Sequence, residues 1–220
     1  MPARPTRLER LLTVLARSGE ADGPPRDPWH AILWENVAYL CNDAAREAAF
    51  AELERATGLR AERIAAAKDA ALLAACEHGK LALQRVAKLR ECAALFESVG
   101  DPRELVKLPL AAARKTLRHF PGIGAPGAER LILFAGSAPL VALESNGLRA
   151  LLRLGYGREA GNYAASYRAA CAAAEQECAS DVEARIALYL LARRLGQTVC
   201  RATPKCARCE LALQCPSRIE

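Results

Sequence analysis

Residues 108–136 read LPLAAARKTLRHFPGIGAPGAERLILFAG, with apolar segments on both sides of the turn Phe120-Pro121-Gly122-Ile123-Gly124. Glycine has no Cβ, so Gly122 and Gly124 permit a tight turn whose backbone approaches a ligand closely. Pro126 fits the first turn of the helix that follows. The N–H groups of the turn and of that helix suit a phosphate. The stretch therefore predicts two helices joined by an anion-binding hairpin, although simple helix packing would also explain such a turn.

A second stretch, CRATPKCARCELALQC at residues 200–215, holds four cysteines with the spacing C-x5-C-x2-C-x5-C. Four thiolates are what a [4Fe–4S] cluster needs, one for each iron. A structural zinc also takes four thiolates, but usually from two separated CxxC pairs, and only one such pair is present. The spacing favours an iron–sulfur cluster over zinc, with Cys200, Cys206, Cys209 and Cys215 as ligands. Gly196 is expected to end the preceding helix.

The composition is that of a soluble globular protein, and much of its positive charge is concentrated in two segments. The 220 residues carry a net charge of +6, and residues 103–130 and 193–220 each hold six Lys/Arg against two acids. Clustered positive charge favours a polyanion as partner, although most charge runs are simply solvated faces. No apolar run approaches the roughly 18 residues of a membrane span, and the basic N-terminus lacks an apolar signal core. We therefore expect a cytoplasmic protein, nucleoid-associated in a bacterium, with no membrane partner.

Nine cysteines in a chain of this length favour metal binding over disulfides. Five of them lie singly in Ala-rich apolar stretches and are expected to be small buried hydrophobic residues. These five are Cys41, Cys76, Cys92, Cys171 and Cys178.

Apolar residues recur at helical spacing throughout, and no segment predicts a strand, so the expected fold is all-α. Thr6 is a candidate cap of a first helix, and Asp27-Pro28 is a strong start signal for a helix running to about Leu40. Thr57-Gly58 and Gly79 are expected helix stops. Further helices are predicted at about 61–77, 81–98, 109–119, 126–136, 145–154, 159–177 and 181–195.

Together, the hairpin and the cysteine loop resemble the endonuclease III branch of the helix–hairpin–helix DNA glycosylase superfamily. The family hairpin reads roughly LPGVG, where this chain has FPGIG followed by Ala125, Pro126 and Gly127. The family's cysteine spacing is usually C-x6-C-x2-C-x5-C, one residue longer in the first interval. A family motif like VDTHIFR, which contains the catalytic Asp, corresponds to ALESNGLR at residues 142–149.

The resemblance implies a two-part architecture. A six-helix barrel domain spanning residues 24–138 would end in the hairpin, and residues 1–23 with 139–220 would form a terminal helical domain carrying the cluster. Double-stranded DNA would cross the groove between them, held at Gly122, Ile123, Gly124, Pro126 and Gly127. The target nucleotide would be flipped out of the duplex, because its glycosidic bond is inaccessible there.

Two departures from the family bear on the mechanism. Bifunctional members use a hairpin Lys as a Schiff-base nucleophile, and Pro126 occupies that position without a side-chain amine. Lys107 and Lys115 are the nearby candidates for a displaced Lys. The simpler interpretation is a monofunctional enzyme that activates water. Glu144 stands where the family has Asp, so a carboxylate is retained with a reach one methylene longer, and a helix-capping acid is the alternative explanation.

Other polar residues extend the predicted site. Glu35 and Asn36 interrupt the apolar segment WHAILWENVAYLCND at residues 29–43, where buried polar groups require partners. The resemblance implies that this helix lines the base pocket and that Leu40 to Asn42 fill the gap left by flipping. Asn146, two residues after Glu144, is a further candidate for the pocket. A structural hydrogen bond in the core would also explain Glu35 or Asn36.

The sequence therefore predicts a base-excision DNA glycosylase, acting as a monomer on duplex DNA with a damaged or mispaired base. Glu144 is the candidate catalytic residue. One alternative is a catalytically idle homologue that binds damaged DNA. The other is a bifunctional glycosylase/lyase that uses a displaced Lys.

Overall fold

The computed structural model describes residues 4–19, 21 and 23–219, and it is all-α across that part of the chain. This confirms the predicted fold class. None of the helices described there is both long and apolar enough to cross a membrane. The chain divides into two compact units, which we call the central unit (Pro24–Ser137) and the terminal unit (the described residues of Met1–Gly23 and Ala138–Glu220).

The central unit contains eight α-helices within its described residues. They are α2 (Pro28–Val37), α3 (Asp43–Thr57), α4 (Ala61–Ala66), α5 (Asp69–Cys76), α6 (Ala82–Ser98), α7 (Pro102–Leu105), α8 (Leu110–Leu117) and α9 (Ala125–Phe134). Trp29 and Phe120 are fully buried in its core, and the Trp29 ring meets Phe96 edge-on with centroids 4.9 Å apart. Asp27 caps α2 by accepting a hydrogen bond from the His30 N–H at 2.9 Å.

The terminal unit contains α1 (Arg7–Ala16), α10 (Ser145–Arg153), α11 (Tyr163–Glu175) and α12 (Val182–Thr198), followed by two 3-10 turns at Cys206–Arg208 and Ala212–Gln214. Thr6 caps α1 in a reciprocal pair with Glu9, as the sequence predicts. The buried leucines of α1 pack on α10 and α12 in a single core.

Several predicted boundaries were wrong. The expected helix at 61–77 is two helices, because Ala67 and Lys68 are extended. Arg90 from α6 stabilises the break by donating hydrogen bonds to the carbonyls of Ala65 and Ala67, both at 2.8 Å. Helix α2 ends at Val37, three residues before the predicted end, since Ala38 is extended. Helix α11 begins at Tyr163 instead of 159, and α7 was not predicted.

Gly196 does not end a helix; it lies inside α12, which continues to Thr198. A Cβ built on Gly196 would stand 2.1 Å from the backbone oxygen of Asn146 on α10. Glycine is therefore required where these two helices touch backbone to backbone.

We expect Gly196→Ala to lower the free energy of unfolding by about 2–3 kcal/mol, because the clash is with backbone and no rotamer change relieves it. This loss exceeds the gain of about 1 kcal/mol that Ala ordinarily brings to a helix interior. Chemical denaturation of the variant measures the effect. Gly161→Ala is the control, since a Cβ there meets no atom within 4 Å. Equal stability of the two variants would contradict the packing argument.

Candidate active site and metal centre

Glu144 caps the start of α10 and is half-buried. Its Oε1 accepts a hydrogen bond from the Gly147 N–H at 2.5 Å, and its Oε2 accepts one from Asn146 Nδ2 at 2.8 Å. The positive end of the helix dipole also favours a negative charge at this position. The capping explanation and the catalytic one are compatible, since both carboxylate oxygens are held in fixed directions.

A side chain that the sequence analysis did not single out extends this arrangement. Arg149 Nη2 donates to Asn146 Oδ1 and to the Gly196 carbonyl, both at 2.8 Å, and its Nε donates to the Cys200 carbonyl at 3.0 Å. The Glu144 carboxylate is thus joined through two side chains to the backbone of a predicted cluster ligand. The pattern Glu-x-Asn-x-x-Arg was the signal available in the sequence.

The four C-terminal cysteines are brought together. Cys200, Cys206, Cys209 and Cys215 are free of disulfides, are half-buried, and line one cavity. Burial raises the pKa of the Cys209 thiol, a backbone hydrogen bond at Leu211 lowers it, and the other three thiols raise it.

The cysteine loop is held by arginines and by one buried leucine. Arg153 donates to the carbonyls of Arg201 at 2.5 Å and Ala202 at 3.1 Å, and to Cys200 Sγ at 3.6 Å. Arg7 of α1 donates to the Gln214 carbonyl at 3.1 Å. Leu211, between the last two cysteines, is fully buried. The loop is therefore seated on the terminal unit by its own backbone and by positive charge suited to an anionic thiolate centre.

The donor set fits a cluster by its chemistry. Four soft thiolates and no carboxylate among the cysteine loop's cavity-lining residues are typical of iron–sulfur ligation. Among the described residues, no three His, Cys, Asp or Glu side chains are grouped as one metal ion requires. The cluster therefore stays a prediction, and so does the structural zinc that the spacing left as the alternative.

The other five cysteines were all predicted to be buried, and three of them are. Cys76, Cys92 and Cys178 are buried, whereas Cys41 and Cys171 are half-buried. Burial raises the pKa of the Cys76 thiol to about 12, opposed by the charge of Arg85, so this thiol is protonated at neutral pH.

The hairpin of the central unit lies between α8 and α9. Gly122 has φ +77° and is exposed, as is Gly124. The Ile123 side chain is buried at 4% exposure, and its N–H donates to the Phe120 carbonyl at 3.1 Å. Pro126 lies in the first turn of α9. The backbone groups left for a phosphate are therefore those of Gly124 and the start of α9, with Ile123 anchoring the turn from below.

Asn36 supports the hairpin from the core. Its side chain is fully buried, and Nδ2 donates to the carbonyls of Ile32 at 2.9 Å and Pro121 at 2.8 Å. A Cβ at Gly122 would stand 3.3 Å from Asn36 Oδ1. Glu35 forms an ion pair with Arg130 of α9. Both polar residues that interrupt the apolar segment thus connect α2 to the hairpin and α9.

Two loops of the central unit present strained, exposed leucines. Leu40 has φ +50° and is 71% exposed, and Leu81 has φ +61° and is 50% exposed. The loops are joined by a hydrogen bond from the Lys80 N–H to the Tyr39 carbonyl at 2.7 Å. Positive φ is costly for a branched side chain and clusters at functional sites. Asn42, the other residue predicted to fill the gap, is exposed and also caps α3 by accepting from the Ala45 N–H, so its role at DNA stays a prediction. Leu81 carries no sequence signal that would have identified it.

The structure is similar to solved structures of endonuclease III bound to DNA. A trapped endonuclease III–DNA covalent intermediate matches with a TM-score of 0.72 and 18% identity, over 96% of this chain and 95% of that one. The chain has the helix–hairpin–helix glycosylase fold.

Two further structures agree with this assignment of the fold. A thermostable thymine-DNA glycosylase matches with a TM-score of 0.73 and 16% identity, over 96% of this chain and 95% of that one. A 3-methyladenine DNA glycosylase from H. pylori matches with a TM-score of 0.61 and 13% identity, over 85% of this chain and 94% of that one. No family model and no curated protein matches the sequence.

Proposed function

We propose that this protein is a base-excision DNA glycosylase that hydrolyses the N-glycosidic bond of a damaged or mispaired base in duplex DNA. The observation that carries the proposal is the Glu144 carboxylate, fixed at the start of α10 within this fold. The solved structures with the same fold are named as DNA glycosylases or as endonuclease III bound to DNA. The excess of positive charge agrees with a DNA partner.

In the proposed reaction, Glu144 stabilises the positive charge that develops on the sugar and accepts a proton from the attacking water. Asn146 and the Gly147 N–H hold the carboxylate in place. The backbone of the 122–127 hairpin grips phosphate, and Leu40 and Leu81 wedge into the space left by the flipped nucleotide. Cys200, Cys206, Cys209 and Cys215 would hold a [4Fe–4S] cluster, which supplies a structural crosslink for the basic loop that contains them.

Water, not an amine, is the proposed nucleophile. Pro126 has no side-chain amine with which to form a Schiff base. Lys107 is exposed and pairs with Glu104 at 2.6 Å, and Lys115 lies on the exposed side of α8. These placements support a monofunctional enzyme that leaves an intact abasic site.

A panel of duplexes tests the proposal, each with one damaged or mismatched base and each assayed with and without alkali. We expect base release from at least one duplex and strand breaks only after alkali treatment. Breaks without alkali, with borohydride-trapped adducts, would show a bifunctional enzyme instead. Tight binding to damaged duplexes without base release from any of them would show a DNA-binding protein that is not an enzyme.

We expect Arg149→Leu to slow the single-turnover rate of base release by about 10- to 100-fold at saturating enzyme, because it frees Asn146 and lets the Glu144 carboxylate move. Arg168→Leu on the exposed face of α11 is the matched control, with no expected change. Thermal unfolding of both variants separates a positioning effect from a loss of folded protein. A rate equal to that of the wild type would remove Arg149 from the positioning of Glu144.

A further inference from the structure

A groove of about 430 Å³ runs along α10 within the terminal unit. It begins at Ser145, the residue after Glu144, and reaches Arg153 beside the cysteine loop. Leu148 and Leu152 provide its apolar surface. Its volume falls within the range of small-molecule sites, and the mix of apolar and polar lining is also typical of them. Arg149 and Arg153 of its lining also position Asn146 and hold the cysteine loop, but the roles proposed above assign no ligand to the groove itself.

The wall opposite α10 is preformed. Ser166 is buried at 4% exposure, and its Oγ accepts a hydrogen bond from the Ala160 N–H at 2.8 Å. Asn162 caps α11 by accepting from the Ala165 N–H at 2.9 Å. These bonds fix the loop before α11 against the start of that helix, so this wall of the groove is held by its own hydrogen bonds.

Tyr163 stands on this wall as an exposed aromatic platform. It is 49% exposed, and its ring lies nearly parallel to that of the buried Tyr167, at a centroid distance of 6.2 Å and an interplanar angle of 19°. Burial raises the pKa of the Tyr163 phenol, and the charge of Glu144 raises it further, so the ring lies within electrostatic range of that carboxylate. A ring backed on one side and open on the other suits a stacking partner.

The charge of the groove favours an anion. Arg149 and Arg153 line it and donate mostly to backbone carbonyls, which do not cancel their charge. The hydrogen bonds of Arg149 use Nε and Nη2, which leaves the two donors of Nη1. Glu159 is the single acid among the lining residues, and the Glu144 carboxylate lies beside the Ser145 end of the groove. The positive charge is therefore local to Arg149 and Arg153, and a negatively charged group is favoured there.

We propose that this groove binds one unstacked nucleotide of the substrate strand, with its base on Tyr163 and a phosphate facing Arg149 and Arg153. An aromatic ring beside a cationic groove is the combination that holds unpaired nucleotides. The proposal rests on the proposed function for the source of the nucleotide, which is the flipped one or a direct neighbour. The flipped nucleotide and its neighbour both offer a base and a phosphate, and their positions in the strand distinguish them.

Photocrosslinking tests the contact directly. The probes are three duplexes that carry 5-iodouracil as the unpaired target nucleotide, or immediately 5′ or 3′ of a tetrahydrofuran abasic analogue. We expect irradiation to crosslink Tyr163 in one of the three, as identified by mass spectrometry of the peptides. Tyr163→Phe keeps the ring and retains the crosslink at residue 163, and Tyr163→Ala abolishes it.

Binding of the abasic-analogue duplex gives an independent readout. We expect Tyr163→Ala to weaken affinity about tenfold, Tyr163→Phe to leave it unchanged, and Glu159→Gln to tighten it. Unchanged affinity of Tyr163→Ala, with crosslinks only to other residues, would overturn the inference while leaving the proposed function standing. A Tyr163 crosslink in a protein that releases no base would support nucleotide binding in the groove and refute the proposed glycosylase activity. A wild-type protein that binds none of the three duplexes would refute both.

Discussion

We expect Glu144→Gln to slow base release by about 10³-fold while DNA affinity stays unchanged, because the amide has no charge to stabilise the sugar cation and cannot accept the proton of water. The amide oxygen of Gln still accepts from the Gly147 N–H, so the helix cap is retained. Single-turnover kinetics on the duplex identified by the panel measure the rate, and fluorescence anisotropy measures the affinity. Glu97→Gln, an exposed substitution on α6, is the matched control.

Glu144→Asp tests whether the position of the carboxylate, and not only its charge, determines the rate. The shorter carboxylate keeps the charge but withdraws it by one methylene from the position set by Asn146 and the Gly147 N–H. A displacement of about 1 Å costs up to roughly 100-fold in rate, so Asp is expected to fall between Glu and Gln. A Gln variant as active as the wild type would remove Glu144 from the mechanism, and the acid would then serve only as the cap of α10.

The features that the sequence predicted are those encoded by neighbouring residues. The turn glycines, Pro126 and the four cysteines are local patterns, and the capping residues Thr6 and Asp27 mark the helix starts that the structure shows. Glu144 was interpreted as a cap from its local sequence, and the structure shows that cap. Its catalytic role was inferred from the resemblance of residues 142–149 to the family motif, and it stays a prediction.

The features that the sequence did not predict depend on contacts between distant segments. Glycine often ends a helix, so the sequence alone predicts a helix end at Gly196. The close approach of the Asn146 backbone on another helix explains why a glycine lies inside α12. The break between α4 and α5 is stabilised by Arg90, more than 20 residues away. The left-handed backbone at Leu81 is set by its tertiary surroundings and contradicts the preference of a branched residue.

The purified protein is expected to contain about four irons per chain, and Cys209→Ser is expected to lose them. The physical reason is that the four cysteines that line one cavity supply one thiolate for each iron, so removing one thiolate leaves an iron without its protein ligand and makes the cluster labile. Because the metal binds the folded protein and not the unfolded chain, its binding free energy adds to the stability of the fold. Loss of the cluster should therefore lower the free energy of unfolding of the terminal unit by several kcal/mol. Elemental analysis, visible absorption and thermal unfolding measure the three effects. Cys171→Ser on α11 is the matched control, because this cysteine is also half-buried but lies outside the cavity.

The stoichiometry distinguishes the two metals that the spacing allowed. One zinc per chain would be held by four sulfurs at about 2.3 Å from a single point, whereas a [4Fe–4S] cluster takes one thiolate for each of its four irons. The four thiols that line one cavity, in a loop seated by Leu211 and the arginines, are the ligands in either case, so the iron and zinc content of the purified protein separates the two. One bound zinc, or a metal-free protein whose stability is unaffected by Cys209→Ser, would overturn the cluster while leaving the test of Glu144 unchanged.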